Sequence, residues 1–263
     1  MRIYHYTDLN GLKGIIENDS FWATNFYFLN DAQELQHGIQ CILGSLDYLK
    51  DDFSERSLKF IRDAMTKFQL FEARHMYNIS FCQDADLLSQ WRGYGSTQGV
   101  CLEFDSDMLV ESLSFTELAN ISGNVIYTKP DSTPEAKSEI IAFFKREDIA
   151  KLIKDDPFHE VIYSADFARK VTPFFKHNSF SEEKEFRIVV QPVNRLDNVK
   201  FRVNAHGLIP YLEIKAHGKL PLKSIKIGPC KDRWLVSEGI QFLLQSKGYT
   251  DIPYSFTEAP FRG

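Results

Sequence analysis

Along residues 2–8 (RIYHYTD) the side chains alternate, so Ile3, His5 and Thr7 share one face of a predicted strand while Tyr4 and Tyr6 take the other. Asp8 has the chemistry of a helix N-cap, and Leu9, Leu12, Ile15 and Ile16 recur at the spacing that buries one face of an amphipathic helix. His5 therefore stands just ahead of a strand-to-helix turn. Such turns gather unpaired backbone NH groups that suit a ligand carrying phosphate or ribose. The plainer reading of a lone strand histidine is a hydrogen-bonded structural residue.

Further along, "SFWATNF" predicts a second strand, and Asp31 in "LND" a cap for the next helix. Two helices are marked by Leu35, Ile39, Ile42 and Leu46 and by Leu58, Ile61, Met65 and Phe68, divided by the polar break "KDDFSE". "MYNISFC" and "GVCLEF" resume the strands around a short helix in "DADLLSQW". "GNVIYTK" is read as one more strand. A long helical stretch runs from "DSTPEAK" to about His177, interrupted near Pro157. Strand signals then follow in "EFRIVV", "VKFRV", "YLEIK" and "SIKIG", before a helix near Trp234 to Gln245 and an extended "IPYSF". Strands split by a helical hairpin and then grouped together predict an α+β fold and not a regularly alternating parallel sheet. The expected organisation is one domain over residues 1–263, with a helical insertion at about 31–75 and a second helical stretch at about 133–177.

Composition narrows the function classes. The net charge of −5 gives no global field for nucleic acid, although a local basic groove would escape such a sum. Cys41, Cys82, Cys101 and Cys230 form no CxxC pair, so neither a zinc site nor a disulfide framework is signalled. No apolar run approaches the roughly 20 residues of a membrane span, and the first residues lack a signal-peptide core. A cytoplasmic protein without membrane attachment is expected. The 22 phenylalanines predict an aromatic core.

Few motifs carry chemistry. "GYGSTQG" follows a helix and precedes a strand, the reverse of a dinucleotide fingerprint, so its glycines are assigned to a tight turn. Trp91, Arg92 and Tyr94 group rings with a guanidinium; they fit a nucleotide or a helix-end cluster packed on an arginine stem. The histidines show no HExxH spacing, with His206 and His217 placed in turns, and no metal is predicted. "FSEEKEFRIVV" is the most informative stretch. Read as strand, it sends Glu183, Glu185 and Arg187 to one side and Phe186, Ile188 and Val190 into the core. A solvated edge with cross-strand ion pairs would explain the same letters.

Taken together, "YHYTDLNGLKGIIEN", "FWATNFYFLNDAQE", "SFCQDADLLSQWRGYG", "GVCLEF", "EKEFRIV", "IGP" and the terminal "APFR" resemble the bacterial domain-of-unknown-function family numbered 2971. That family is in turn similar to ADP-ribosyltransferases, whose split sheet clamps NAD, and the resemblance implies a split antiparallel or mixed sheet of that type with an inserted helical hairpin. The resemblance implies that His5 contacts a ribose, with Tyr6 and Thr7 beside it. Trp22, Thr24 and Tyr27 fall in the stretch of the second motif, although "WATNFYFLND" departs from that motif's usual forms. Glu185 would be the catalytic glutamate and Glu183 the first member of a Glu-x-Glu pair. Arg92, or failing it Arg187, would neutralise the pyrophosphate.

The function implied is cleavage of the nicotinamide–ribose bond of NAD, with transfer of ADP-ribose to a protein or nucleic-acid acceptor or to water. A fixed carboxylate would stabilise the oxocarbenium character of the ribose. That chemistry requires His5 and Glu185 to meet across one crevice. Two alternatives stand beside it: a metal-dependent nuclease built on the acid-x-lysine string Glu182 to Lys184, and a non-catalytic nucleotide-binding or interaction module. The acceptor and the oligomeric state are not encoded in any motif.

Overall fold

The alternating segments pair into one ten-stranded sheet in a computed structural model that describes residues 1–29, 33–94, 98–129, 133–193, 198–204 and 207–259. Asp31, residues 95–97 of the expected glycine turn, His206 and residues 260–262 of the terminal motif lie outside the described residues; of that turn's glycines, Gly93 falls in a helix and Gly99 in a strand. In chain order the elements are β1 (Arg2–Asp8), α1 (Leu9–Asn18), β2 (Ser20–Asn25), α2 (Glu34–Ser45), α3 (Glu55–Lys67), β3 (Tyr77–Cys82), α4 (Leu88–Tyr94), β4 (Gly99–Asp105), α5 (Ser106–Ser112), β5 (Leu118–Asn124) and β6 (Ile126–Thr128). They continue with α6 (Thr133–Phe144), α7 (Glu147–Asp155), α8 (Phe158–Val171), β7 (Phe175–His177), β8 (Glu185–Pro192), β9 (Val199–Asn204), β10 (Gly207–Lys215), β11 (Ser224–Ile227), α9 (Arg233–Ser246) and β12 (Tyr254–Phe256). The fold is α+β with a sheet of mixed orientation: β11 and β12 pair parallel, the other ladders of the sheet antiparallel.

The sheet forks at β3. One edge of β3 pairs along its length with β8, which carries β5 on its far side. The other edge is shared: β1 meets it at Tyr4–Cys82 and β2 at Asn78 and Tyr77. Between the two pairing points lies Ser80, whose carbonyl would lose a ladder partner at the fork; Nδ1 of His5 stands 3.0 Å from it.

Each face has its own core. On one, Ile3, Phe21, Ile79, Phe81, Leu102, Phe104, Phe186, Ile188 and Val190 pack against Leu12, Ile15 and Ile16 of α1, Leu109 of α5 and Ile240 and Leu244 of α9. Side-chain caps fix these helices: Asp8 accepts from the Gly11 amide at 2.7 Å, and Asp232 from the Leu235 amide at 2.9 Å. On the other face the two helical stretches pack on each other, with Leu35, Ile39, Ile42, Leu58, Ile61, Met65, Ile140 and Phe167 around Phe26, Phe174 and Val189. A small third cluster, Tyr6, Cys82, Trp91 and Cys101, lies on the β1, β3 and β4 end of that same face.

Three elements differ from expectation. The helical stretch expected to reach about His177 ends at Val171, and Phe175–His177 form β7 because they pair with β6. "GNVIYTK" is not one strand: β5 ends at Asn124 and β6 starts at Ile126, because Val125 leaves the large sheet and β6 pairs with β7 in a second, two-stranded sheet. The helix of "DADLLSQW" begins only at Leu88. Asp86 is drawn off as an acceptor for Trp91 Nε1 at 2.7 Å and for the Glu258 amide at 3.0 Å.

Gly38 sets how close α2 comes to the chain ahead of β7. A Cβ there would lie 2.5 Å from the backbone oxygen of Thr172. Gly38→Ala should lower stability by about 1–3 kcal/mol through that overpacking, although alanine favours the helix by ~1 kcal/mol. Urea unfolding of the two proteins checks this; a Gly38→Ala protein as stable as wild type would show that α2 shifts freely.

Candidate functional site

Alternation along β8 sends Phe186, Ile188 and Val190 into the first core and Glu185, Arg187 and Val189 to the opposite face. There Arg187 is completely buried. Its Nε and Nη2 donate to the two oxygens of Glu185, each at 2.8 Å, Nη1 donates to the Pro173 carbonyl at 2.6 Å, and Nη2 also reaches Oε2 of Glu34, in the first turn of α2. The Phe26 ring lies 5.5 Å from the guanidinium carbon. Lys176 of β7 completes the cluster. Its ammonium donates to Glu185 at 3.0 Å and to Glu183 at 2.7 Å, and stands 3.0 Å from Glu34. Three carboxylates thus converge on one ammonium.

Glu183 gets there by a route strand periodicity does not describe. Residues Asn178–Glu183 form 3-10 turns, and Lys184 takes a left-handed conformation at φ 42° before β8 starts at Glu185. The two glutamates meet because the chain kinks between them. Nor is the string a solvated edge: Glu185 is 4% exposed, while Glu183 keeps 26% of its side chain in solvent.

The two carboxyls are driven apart electrostatically. Burial pushes Glu185 up, but the Arg187 charge and hydrogen bonds, with Lys176, reverse this and hold it at about 2. For Glu183, burial raises the pKa and the Lys176 charge and bond only partly offset it, leaving the group above the ordinary glutamate value. Burial lowers Lys176, yet Glu185 and Glu34 outweigh it and keep the ammonium protonated well past its ordinary range. Two phenols border the cluster. Tyr127 accepts the Glu185 amide at 2.8 Å, and burial of its hydroxyl, with that bond opposing, puts it at about 12. Tyr94, at the end of α4, is 43% exposed; burial of its hydroxyl end and the charge of Glu183 push it to about 12.

The structure brings together Glu183, Glu185, Arg187 and Tyr94 of the expected residues and distributes the rest. His5 lies on the opposite face of the sheet, its ring 5.2 Å from Phe21 and 5.4 Å from Phe81. Burial drops its pKa to about 4, against the opposing Ser80 bond, so the imidazole is neutral. His5 and Glu185 therefore share no crevice: the ring is taken up in closing the fork. The start of α1 is occupied as well, by the Asp8 carboxylate, and the Thr7 hydroxyl fills the space beside Gly11. Tyr6 donates to the Asp84 carbonyl at 2.8 Å, accepts the Leu87 amide at 3.0 Å and packs on the buried Trp91. Arg92 is exposed on α4. Thr24 accepts from Arg202 at 3.0 Å and Trp22 stacks on Tyr211, out on β2 and β10. Tyr27 lines a shallow groove of about 490 Å³ with Phe28, Arg74 and Phe201.

Sequence reasoning missed Glu34, Lys176 and Tyr127. Lys176 carried a faint signal, a charge set directly after the apolar pair Phe174-Phe175. Glu34 sits 153 positions from Arg187 in a helix whose apolar pattern drew the eye elsewhere. Among the described residues no group of three or more His, Cys, Asp or Glu is arranged to hold a metal ion. No helix among them is long and apolar enough to cross a membrane.

Arg187→Ala should cost ~3–5 kcal/mol, because it strands Glu34 and Glu185 in the interior; chemical denaturation measures it. Glu185 also makes stability pH-dependent. Its folded pKa is depressed, so its contribution is whole above the unfolded value of ~4.3 and is lost as pH falls toward about 2. Circular dichroism should show Glu185→Gln with a shallower loss than wild type across that window, and parallel curves would contradict it.

No curated protein and no solved structure matches the chain. Residues 90–188, the stretch that carries Tyr94, Tyr127, Lys176, Glu183, Glu185 and Arg187, match the model of a family described as a protein of unknown function, DUF2971.

Proposed function

We propose that the protein cleaves the nicotinamide–ribose bond of NAD at the Glu183–Lys176–Glu185 cluster and passes ADP-ribose to water or to a macromolecular acceptor. The observation that carries this reading is a pair of glutamates on one lysine ammonium whose proton affinities are pushed in opposite directions. Such a pair leaves Glu185 ionised to hold the ammonium and Glu183 as the more basic carboxylate to act at a glycosidic bond. The resemblance to ADP-ribosyltransferases supplies NAD, and the forked sheet is compatible with their split sheet. The histidine half of that resemblance gives no support, so the assignment of the site rests on the carboxylates.

The roles follow exposure. When the bond breaks, its electron pair goes to the nicotinamide nitrogen, neutralising the pyridinium, and positive charge develops on the ribose. Glu183, the carboxylate that solvent reaches, faces that charge and takes the proton from the attacking water or acceptor; its raised pKa strengthens it as a base. Glu185 is a positioning residue, holding Lys176 charged and in place. Tyr94 borders the opening. The alternative of a metal-dependent nuclease has weaker support: the point where three carboxylates converge is filled by an ammonium, and Lys184 of the acid-x-lysine string turns to Asp84 at 3.5 Å.

Purified protein incubated with NAD should release nicotinamide. Glu183→Gln should cut the rate by ~10²–10⁴-fold, the span of a lost general base, with thermal stability retained because glutamine still accepts from Lys176. The wild-type rate should fall as pH drops through the raised Glu183 pKa, since the base must be ionised. Release indifferent to Glu183→Gln would remove the cluster from the chemistry. Calorimetric NAD binding without product would select the non-catalytic binding module.

A further inference from the structure

Among the described residues the ten-stranded sheet has open edges at β5, β9 and β12. An open edge presents unpaired backbone NH and CO groups, and is ordinarily kept short or dressed with polar side chains. β12 has three residues, and the exposed side chains of β5 are Ala119, Asn120, Ser122 and Asn124. β9 is different. It runs six residues, pairs among the described residues only with β10, and leaves Phe201 and Val203 61% and 80% exposed.

Alternation gives β9 two unlike faces. On one, Phe201 lies opposite Pro210, and Val203 opposite Leu208, itself 62% exposed. Val199 and Phe201 also wall the groove that Tyr27, Phe28 and Arg74 line, and among the described residues no carboxylate lines it. On the other face stand Lys200 and Arg202. Glu213 takes up Lys200. Arg202 is half-buried, donates to the Thr24 hydroxyl at 3.0 Å and lies 5.9 Å over the Trp22 ring, and among the described residues no carboxylate pairs with it. A partly desolvated guanidinium without a counter-ion favours an incoming carboxylate.

We infer that the free edge of β9 takes an extended segment of another protein as an additional strand, one that alternates apolar and acidic residues. Its backbone pairs with the outward NH and CO groups of β9. Its apolar side chains extend the Phe201 face, and its carboxylates meet Arg202 and Lys200 on the other. Two other occupants fit worse. A second copy of β9, paired antiparallel and symmetrically in registers that overlap most of its length, sets Lys200 and Arg202 against themselves or each other, and like charges directly opposed destabilise a ladder. A lipid surface covers the apolar face but leaves the backbone groups of the edge without partners. The inference is independent of the proposed NAD chemistry.

A fluorescein-labelled peptide of sequence EVEFEVE, titrated with the full chain and followed by fluorescence anisotropy, tests it. The peptide should bind saturably, and the scrambled peptide EEVFVEE at least tenfold more weakly. Phe201→Ser and Arg202→Gln should each keep the thermal unfolding midpoint and weaken binding by about tenfold or more, a loss of ~1.4 kcal/mol. Amides of β9 should gain protection from hydrogen exchange in the complex. No saturation up to millimolar concentration, equal binding of the two peptides, or binding indifferent to both substitutions overturns the inference. So does self-association in sedimentation equilibrium that Phe201→Ser abolishes, which assigns the edge to a second copy. Binding of phosphatidylserine vesicles in place of the peptide overturns it as well, and assigns the face to a lipid surface.

Discussion

The Arg187 guanidinium, buried without solvent contact, holds together parts of the chain that nothing local would join. It ties β8 to itself through Glu185, to the turn before β7 through the Pro173 carbonyl, and to α2 through Glu34. Taking such a group from water carries a penalty of several kcal/mol, met only if every donor finds a well-placed acceptor. Apolar residues in place of the whole ionic cluster would stabilise the interior as well or better, but would accept α2 in several rotational settings. The guanidinium accepts one: a planar fork meets two carboxylates and a carbonyl in fixed directions. Its return is register between the helical layer and the sheet.

That register makes the exposed end of the cluster chemically distinct. Lys176 could be held by any one of its three carboxylates, but Glu34 and Glu185 are already bound by Arg187 and sit in the interior. Glu183 alone combines contact with the ammonium and contact with water. The interior pair therefore settles the charge of the lysine, and the lysine settles the environment of the outer glutamate. Burial and a single cation act on Glu183 in opposite senses, and burial prevails.

Much of this was legible in the letters, and the illegible part has a physical cause. Period-two alternation placed Phe186, Ile188 and Val190 in the core and paired Arg187 with Glu185, because strand geometry is local. The same rule failed for Glu183 one kink earlier: a left-handed residue at Lys184 resets the phase, and nothing in a lysine announces φ 42°. Glu34 and Lys176 were illegible for a different reason, since their partners come from other layers and the close approach that unites them depends on the absent Cβ of Gly38. His5 packs against Phe21 and Phe81 of the first core, as a structural strand histidine would. Its task, however, is set by the fork in the sheet, a feature of three strands that no one strand encodes.

The cluster also lies where the packing permits polarity. The face that holds His5 is closed by interlocking rings, Phe21, Phe81 and Phe104. The opposite face is apolar at both ends, with Val189 and Phe26 in the helical core and Cys82 and Trp91 in the small third cluster. β8 runs from one to the other: Glu185 pairs with Cys82 at the third cluster, and Asn78 pairs with Val189 at the helical core. Glu185 and Arg187 occupy the seam between these two bodies. Charge is tolerated there because neither apolar cluster can close the gap, and the seam opens toward solvent at Glu183 and Tyr94. Of the three carboxylates on Lys176, Glu183 is the one that solvent reaches, so that end is where a ligand would meet the cluster.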